Sequence, residues 1–389
     1  MKASKEGYLT TVVFLVSTHF MIHIFTDVVP AILPTLRSDL GLTIVQSSLL
    51  VSIPLLIQVF LYIPVGMMSD VWRSTTLTLS FIVTSLAAFI IPYSSTFTLI
   101  VISFSLLHFG STLYHPPSLK TASDVPKNLL NRVMALHLAG GSLGIATGPI
   151  ILGALMPVVG WRPVFTFFAI PTLMTGLASF FYARRRVAGG DARASRRNND
   201  IRSLFSKPLI MVFFIGVLTE ASFVNLGTFM TTFFVNVAGI SQSLASIVFG
   251  VGPLIGILGA LGGSLIGDRF GTRSTMIAIL TVISMLLAIP LLSQTAEPVV
   301  LSYVLYRTLV SVILSLMNVM ITKNSPSESR SLAFSVYFLI VNLAGAIFPS
   351  ITSIVIAASS IMIIFPISML MFSTAIILLA TSKKSFGVE

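Results

Sequence analysis

One pattern runs the length of this chain: apolar stretches of about 20 residues, each closed by a short polar break, the length a helix needs to cross a lipid hydrocarbon core. Nothing else constrains the fold as strongly. Backbone N–H and C=O groups in lipid have no water partner, so a run of this kind satisfies its own hydrogen bonds as an α-helix. A membrane β-barrel would show alternating segments of about 10 residues, and none occur. Composition agrees, with 55% of the 389 residues hydrophobic and 9% charged, against about 25% charged in soluble domains. The first run, Tyr8 to Leu33, is too long for a signal-peptide core and is read as a span.

Twelve spans are expected, near 8–34, 43–68, 75–93, 97–120, 131–156, 161–183, 208–236, 241–266, 274–293, 298–322, 329–355 and 358–381. The loops differ in charge. One side of the membrane holds 20 of the 23 basic residues, the other only Arg37 and Arg162, and Arg307 lies inside a span. The positive-inside rule therefore puts both termini in the cytoplasm of a multi-pass cell-membrane protein. It also explains the net charge of +11 without nucleic acid: the basic residues sit beside anionic lipid heads. The basic stretch 184–207 divides the chain into a six-span bundle over 1–183 and a second over 208–389. The chain has no cysteine, which excludes disulfides, thiolate metal sites and a cysteine nucleophile. With no catalytic triad, nucleotide loop or metal-ligand spacing, neither enzyme, cofactor nor metal is expected; ligation by the aligned histidines is the weaker reading.

Two loops echo each other at matching places in the halves: GMMSDVWRSTTL (66–77) and SLIGDRFGTRSTM (264–276). Each puts Asp at a helix end, then basic residues, then Ser-Thr opening the next helix. This marks a parallel repeat. Here the sequence resembles the major facilitator superfamily of secondary transporters, whose signature loop is Gly-x-x-x-Asp-Arg-x-Gly-Arg-Arg. Asp268, Arg269, Gly271 and Arg273 match in the second copy, with Ser264 for the first glycine; in the first, Gly66 and Asp70 match, Val71 stands for Arg and Arg73 for the turn glycine. The resemblance implies an all-α fold of twelve transmembrane helices in two pseudo-symmetric bundles, acting as a monomer on a small molecule. It also implies that these loops take part in gating, beside the plainer role of capping helices.

Span 5 carries Gly140, Gly144 and Gly148, four apart, then Pro149. This spacing permits close helix approach, and it is similar to a Gly-x-x-x-Gly-Pro run in the family's exporters. Against that, drug exporters carry an Arg four residues before the span-4 glycine; here the glycine is Gly110 and the position is Leu106. The Tyr-His-Pro at 114–116 resembles the fosmidomycin-resistance-type exporter branch, with Pro117 where that branch has Glu. Pro116 and Pro117 remove helix donors, so span 4 is expected to bend or break there.

Ionisable groups at membrane depth are functional candidates by default. His19, His23 and Asp27 stand four apart on span 1, His108 and His115 share one face of span 4, and Arg307, Ser311, Ser315 and Asn318 share one face of span 10. Glu220 lies in span 7 and His137 in span 5. In the resembled family, spans 1, 4, 7 and 10 line the central cavity. Histidine suits proton coupling, its ordinary pKa of about 6.5 lying near working pH; Glu220 and Asp27 are the alternatives. Imidazoles and Arg307 favour an anionic or zwitterionic solute, and the 29 Phe residues an amphiphilic one. Efflux by proton antiport is the first reading, with import of an organic anion by proton symport the competing one.

Overall fold

The computed structural model describes residues 5–25, 28–126, 129–186, 206–326 and 330–382. Every regular element among them is helical. The first half contains α1 (Lys5–His23), α2 (Val28–Ala31), α3 (Leu33–Asp39), α4 (Ile44–Val71), α5 (Arg73–Ile90), α6 (Phe97–Ser123), α7 (Leu130–Val159) and α8 (Trp161–Arg186). The second contains α9 (Lys207–Asn236), α10 (Gln242–Phe270), α11 (Thr272–Leu292), α12 (Ala296–Asn324), α13 (Arg330–Ala358) and α14 (Ile364–Thr381). Among the described residues eleven helices are long and apolar enough to cross a membrane, and a shorter apolar helix, Leu9–His23, stands where the first span is expected. The expected linker falls largely on 187–205, outside the described residues, as does Asp27.

Two expectations about helix continuity need correction. Span 1 is not one helix: it stops at His23 and resumes as the short helices α2 and α3. Pro30 lies within α2 and Pro34 in the first turn of α3, and each lacks the N–H that would extend a helix through it. Conversely, α6 runs unbroken through Pro116 and Pro117. Its hydroxyl side chains take up local carbonyls, Ser118 Oγ donating to His115 O (3.0 Å) and Thr121 Oγ1 to Pro117 O (2.8 Å). These bonds strengthen the turns that follow the prolines; the carbonyls that the prolines leave without a donor, those of Thr112 and Leu113, lie in the preceding turn.

Local chemistry places the helix starts. Thr43 accepts from Gln46 N (3.1 Å) while Thr43 N donates to Gln46 Oε1 (3.0 Å), a reciprocal cap that opens α4. Thr96 and Ser241 accept in the same way at the starts of α6 and α10. Between α10 and α11 the chain turns on Gly271 at φ +83°, a left-handed conformation that a side chain would strain. The first-half copy has no such glycine. Trp72 makes its turn at φ −122°, so Arg73 becomes the first residue of α5.

The halves meet chiefly where α7 packs along α10 and α4 along α13. Among the described residues six hydrogen bonds join them, all near the membrane face opposite the linker. Thr231 donates to Pro30 O; Gln242 (2.9 Å) and Ser246 (2.8 Å) donate to Ala31 O. Ser243 donates to Gly153 O (2.6 Å), Ser48 to Ser353 (2.9 Å) and Ser350 to Ser52 (2.9 Å). Side chains of α4, α9, α10 and α13, with backbone carbonyls of α2 and α7, thus stitch one face shut.

Candidate functional site

Inside this sealed face lies a cavity of about 380 Å³ lined by both halves. His108 of α6 faces it from the first half, Glu220 of α9 and Arg307 of α12 from the second. All three are half-buried. Apolar groups such as Val51, Leu55, Phe223 and Phe249 form most of the remaining wall. Local packing positions the charged groups. Gly252 leaves room for the Arg307 stem, since a Cβ there would lie 2.5 Å from Arg307 Cβ. The guanidinium carbon lies 5.9 Å from the centre of the Phe249 ring, a cation–π arrangement. His108 Nδ1 lies 3.4 Å from Gln58 Oε1 on α4. With Oε1 so placed, the contact fits the tautomer that carries the hydrogen on Nδ1 and the lone pair on Nε2. Ser311, one turn beyond Arg307, lines the same cavity, whereas Asn318 is exposed and not among the lining residues.

The other histidines gather elsewhere in the first half. His19 and His23 of α1 meet His115 of α6, with ring centres 4.7, 5.5 and 5.1 Å apart for the pairs 19–23, 19–115 and 23–115. His137 of α7 stacks on His19 at 4.0 Å. Tyr114 packs beside His19, its hydroxyl 2.9 Å from Thr18 Oγ1. The glycine row of α7 makes this approach possible. A Cβ at Gly140 would meet the backbone of Val16, one at Gly144 that of Phe20, and one at Gly148 that of Ile24, so α7 lies directly on α1. Pro149 continues α7 one residue past this row without ending the helix.

The signature loops sit at the opposite end from the stitched face. Asp70 accepts from Lys120 Nζ at 2.7 Å, and Arg73 pairs with Asp124, so both contacts tie α4 and α5 to the end of α6 within one half. Gly66 lies inside α4, one turn before Asp70, with open space where a Cβ would be. In the second copy Arg273 donates to Leu379 O (2.6 Å) and Ala380 O (2.8 Å), capping the end of α14. Asp268 and Arg269 are exposed, with Arg269 over the Phe270 ring. The two ion pairs differ in burial. Arg73 is 9% exposed, whereas Lys120 and Asp70 are 30% and 65% exposed. Removing the partner of a buried charge costs more than removing one of an exposed pair. Asp124→Asn should therefore lower the melting temperature of detergent-solubilised protein more than Asp70→Asn, and equal shifts would refute the ranking.

Single-helix stripes do not show Gln58 or His137 as site residues, because each meets its histidine from another helix. A polar residue at membrane depth was the available signal for both.

The sequence profile of the Major Facilitator Superfamily matches residues 15–349. Among curated proteins, Multidrug resistance protein MdtG of Dickeya zeae (strain Ech586) is 25% identical over 175 residues, 44% of this chain and 43% of that protein. MdtG of Citrobacter koseri is likewise 25% identical over 175 residues. The match thus spans less than half the length of these relatives. In a crystal structure, a bacterial homolog to the human lysosomal transporter Spinster, inward-facing and unoccupied, has the same fold at TM-score 0.78 and 15% identity, covering 98% of this chain and 97% of that one. Its inward-facing, occupied form gives a TM-score of 0.74 at 16% identity.

Proposed function

The chain belongs to the Major Facilitator Superfamily, and from that membership we propose that it exports a small amphiphilic organic solute in exchange for protons. Proteins of this family and fold are membrane transporters rather than enzymes. The observation that carries the proposal is the cavity between the halves, where His108, Glu220 and Arg307 face one space with mostly apolar walls. Arg307 holds the acidic or strongly polar end of the solute by charge-assisted hydrogen bonds. Glu220 receives a basic end, and the phenylalanines cover the apolar body.

Antiport requires that proton and solute exclude each other. A proton taken up by His108 Nε2 places a positive charge in the cavity that opposes a basic solute group, and a proton on Glu220 removes the carboxylate that would hold it. Either event expels the solute to the outside, and release of the proton to the cytoplasm lets the next solute bind. The MdtG relatives are named for multidrug resistance, which supports export as the direction. The positive-inside rule puts the stitched face outside, and the cycle alternates this state with one in which the stitched face opens and the linker face closes, as a monomer rocking about the cavity. The signature loops at the linker face are the gating elements of that rocking, their ion pairs setting the shape of the face that must close.

Arg307 and His108 also favour a second reading. Together they offer two positive charges to a purely anionic solute, and then proton and anion bind cooperatively and enter by symport. The direction of solute movement in an imposed pH gradient separates the two.

A further inference from the structure

The four clustered histidines lie outside the cavity described above, and the transport cycle proposed for it does not use them. Their geometry is specific. His19 is 5% exposed. Its Nδ1 lies 2.6 Å from the backbone oxygen of His137, which can only accept, so Nδ1 carries the hydrogen and Nε2 the lone pair. That Nε2 is buried and has no hydrogen-bond partner. One ring nitrogen from each of His19, His23 and His115 lies within 4.8 Å of the other two. An imidazole with Nδ1–H donated to a carbonyl, its Nε2 left unpartnered, and two further imidazoles beside it is an arrangement that metal-ligating histidines adopt, the carbonyl fixing tautomer and ring orientation.

We propose that His19, His23 and His115 bind one divalent transition-metal ion of the class that favours imidazole, such as Zn2+ or Co2+. Zinc–nitrogen bonds of about 2.0–2.1 Å set tetrahedral ligand nitrogens about 3.4 Å apart, so the three rings must draw in by roughly an ångström. Two of the ligands stand where the backbone yields. His23 is the last residue of α1, at the break in span 1. His115 precedes Pro116 and Pro117, which leave α6 short of two backbone hydrogen bonds. Gly141 leaves room for the His19 ring, since a Cβ there would lie 2.6 Å from His19 Cε1. Three neutral imidazoles leave the ion's charge unbalanced, so its fourth position takes water, hydroxide or a small anion. The bound ion ties α1 to α6 within one half, apart from the solute cavity.

The test uses the full chain, purified without a polyhistidine tag, in detergent. Titration with Co2+ should saturate at one equivalent with the visible d–d absorption of a tetrahedral site, and excess Zn2+ should abolish that absorption. Zn2+ should also raise the melting temperature, since it binds only the folded state. His23→Gln and His115→Gln should each weaken Co2+ binding at least tenfold. Because His19 is almost wholly buried, its replacement could unfold the protein, so the decisive measurements are the wild-type titration and those of the two half-buried ligands. Absence of saturable Co2+ binding in the wild type overturns the proposal, whether or not the variants fold. So does wild-type affinity in both His23→Gln and His115→Gln.

Discussion

Replacing Arg307 with Ala, or Glu220 with Gln, is expected to lower solute transport about 10- to 100-fold, the loss that follows when a charge-assisted hydrogen bond of about 1.5–3 kcal/mol is removed. The protein should still fold, because both side chains are half-buried at a cavity wall and are not part of a sealed core. Arg307 should be the more sensitive position, since lysine cannot reproduce its planar, bidentate donors; Arg307→Lys should recover only part of the activity. Thermal unfolding of the purified variants establishes the fold, and transport in proteoliposomes reads the effect. Wild-type transport in both variants would remove these two residues from the site and the proposed site with them.

His108→Gln is expected to separate exchange from coupling. Glutamine keeps a polar group near Gln58 and cannot take the proton. Exchange of labelled for unlabelled solute at equal pH should survive, because it moves no net proton. Accumulation driven by a pH gradient should fall to background. The contrast between the two assays is the signature, since a merely structural role would depress both. If gradient-driven accumulation is unchanged in His108→Gln, the coupled proton rides on Glu220, and Glu220→Gln should then show the same split.

The helices were legible from sequence because each spanning segment satisfies its own backbone in lipid, so an apolar run of the right length suffices. Proline was not legible in the same way. Pro30 and Pro34 accompany a break in span 1, yet Pro116 and Pro117 sit inside a continuous α6. For the histidines, spacing gives the face of a helix but not the depth at which another helix meets it. His108 and His115 share a face, but seven residues is about 10 Å along a helix. His115 reaches the imidazoles of α1, while His108 faces Gln58 and the cavity. His137 joins His19 only because the α7 glycines let that helix lie on α1, a contact between distant segments that no single stripe contains. The loops behave likewise. Loss of the turn glycine in the first copy moves the turn to Trp72 and brings Arg73 to Asp124, a partner visible only once α6 is placed.

In the proposed cycle, proton and solute move in opposite directions through the cavity of His108, Glu220 and Arg307. Inside-out membrane vesicles with an acid interior test it most directly, using labelled amphiphilic zwitterions and anions as probes. Antiport predicts uptake of the transported probe into the acid interior, collapse of that uptake on adding a protonophore, and its absence from vesicles carrying Arg307→Ala. Expulsion of preloaded probe from acid vesicles, with accumulation only when the interior is alkaline, would contradict antiport and establish symport.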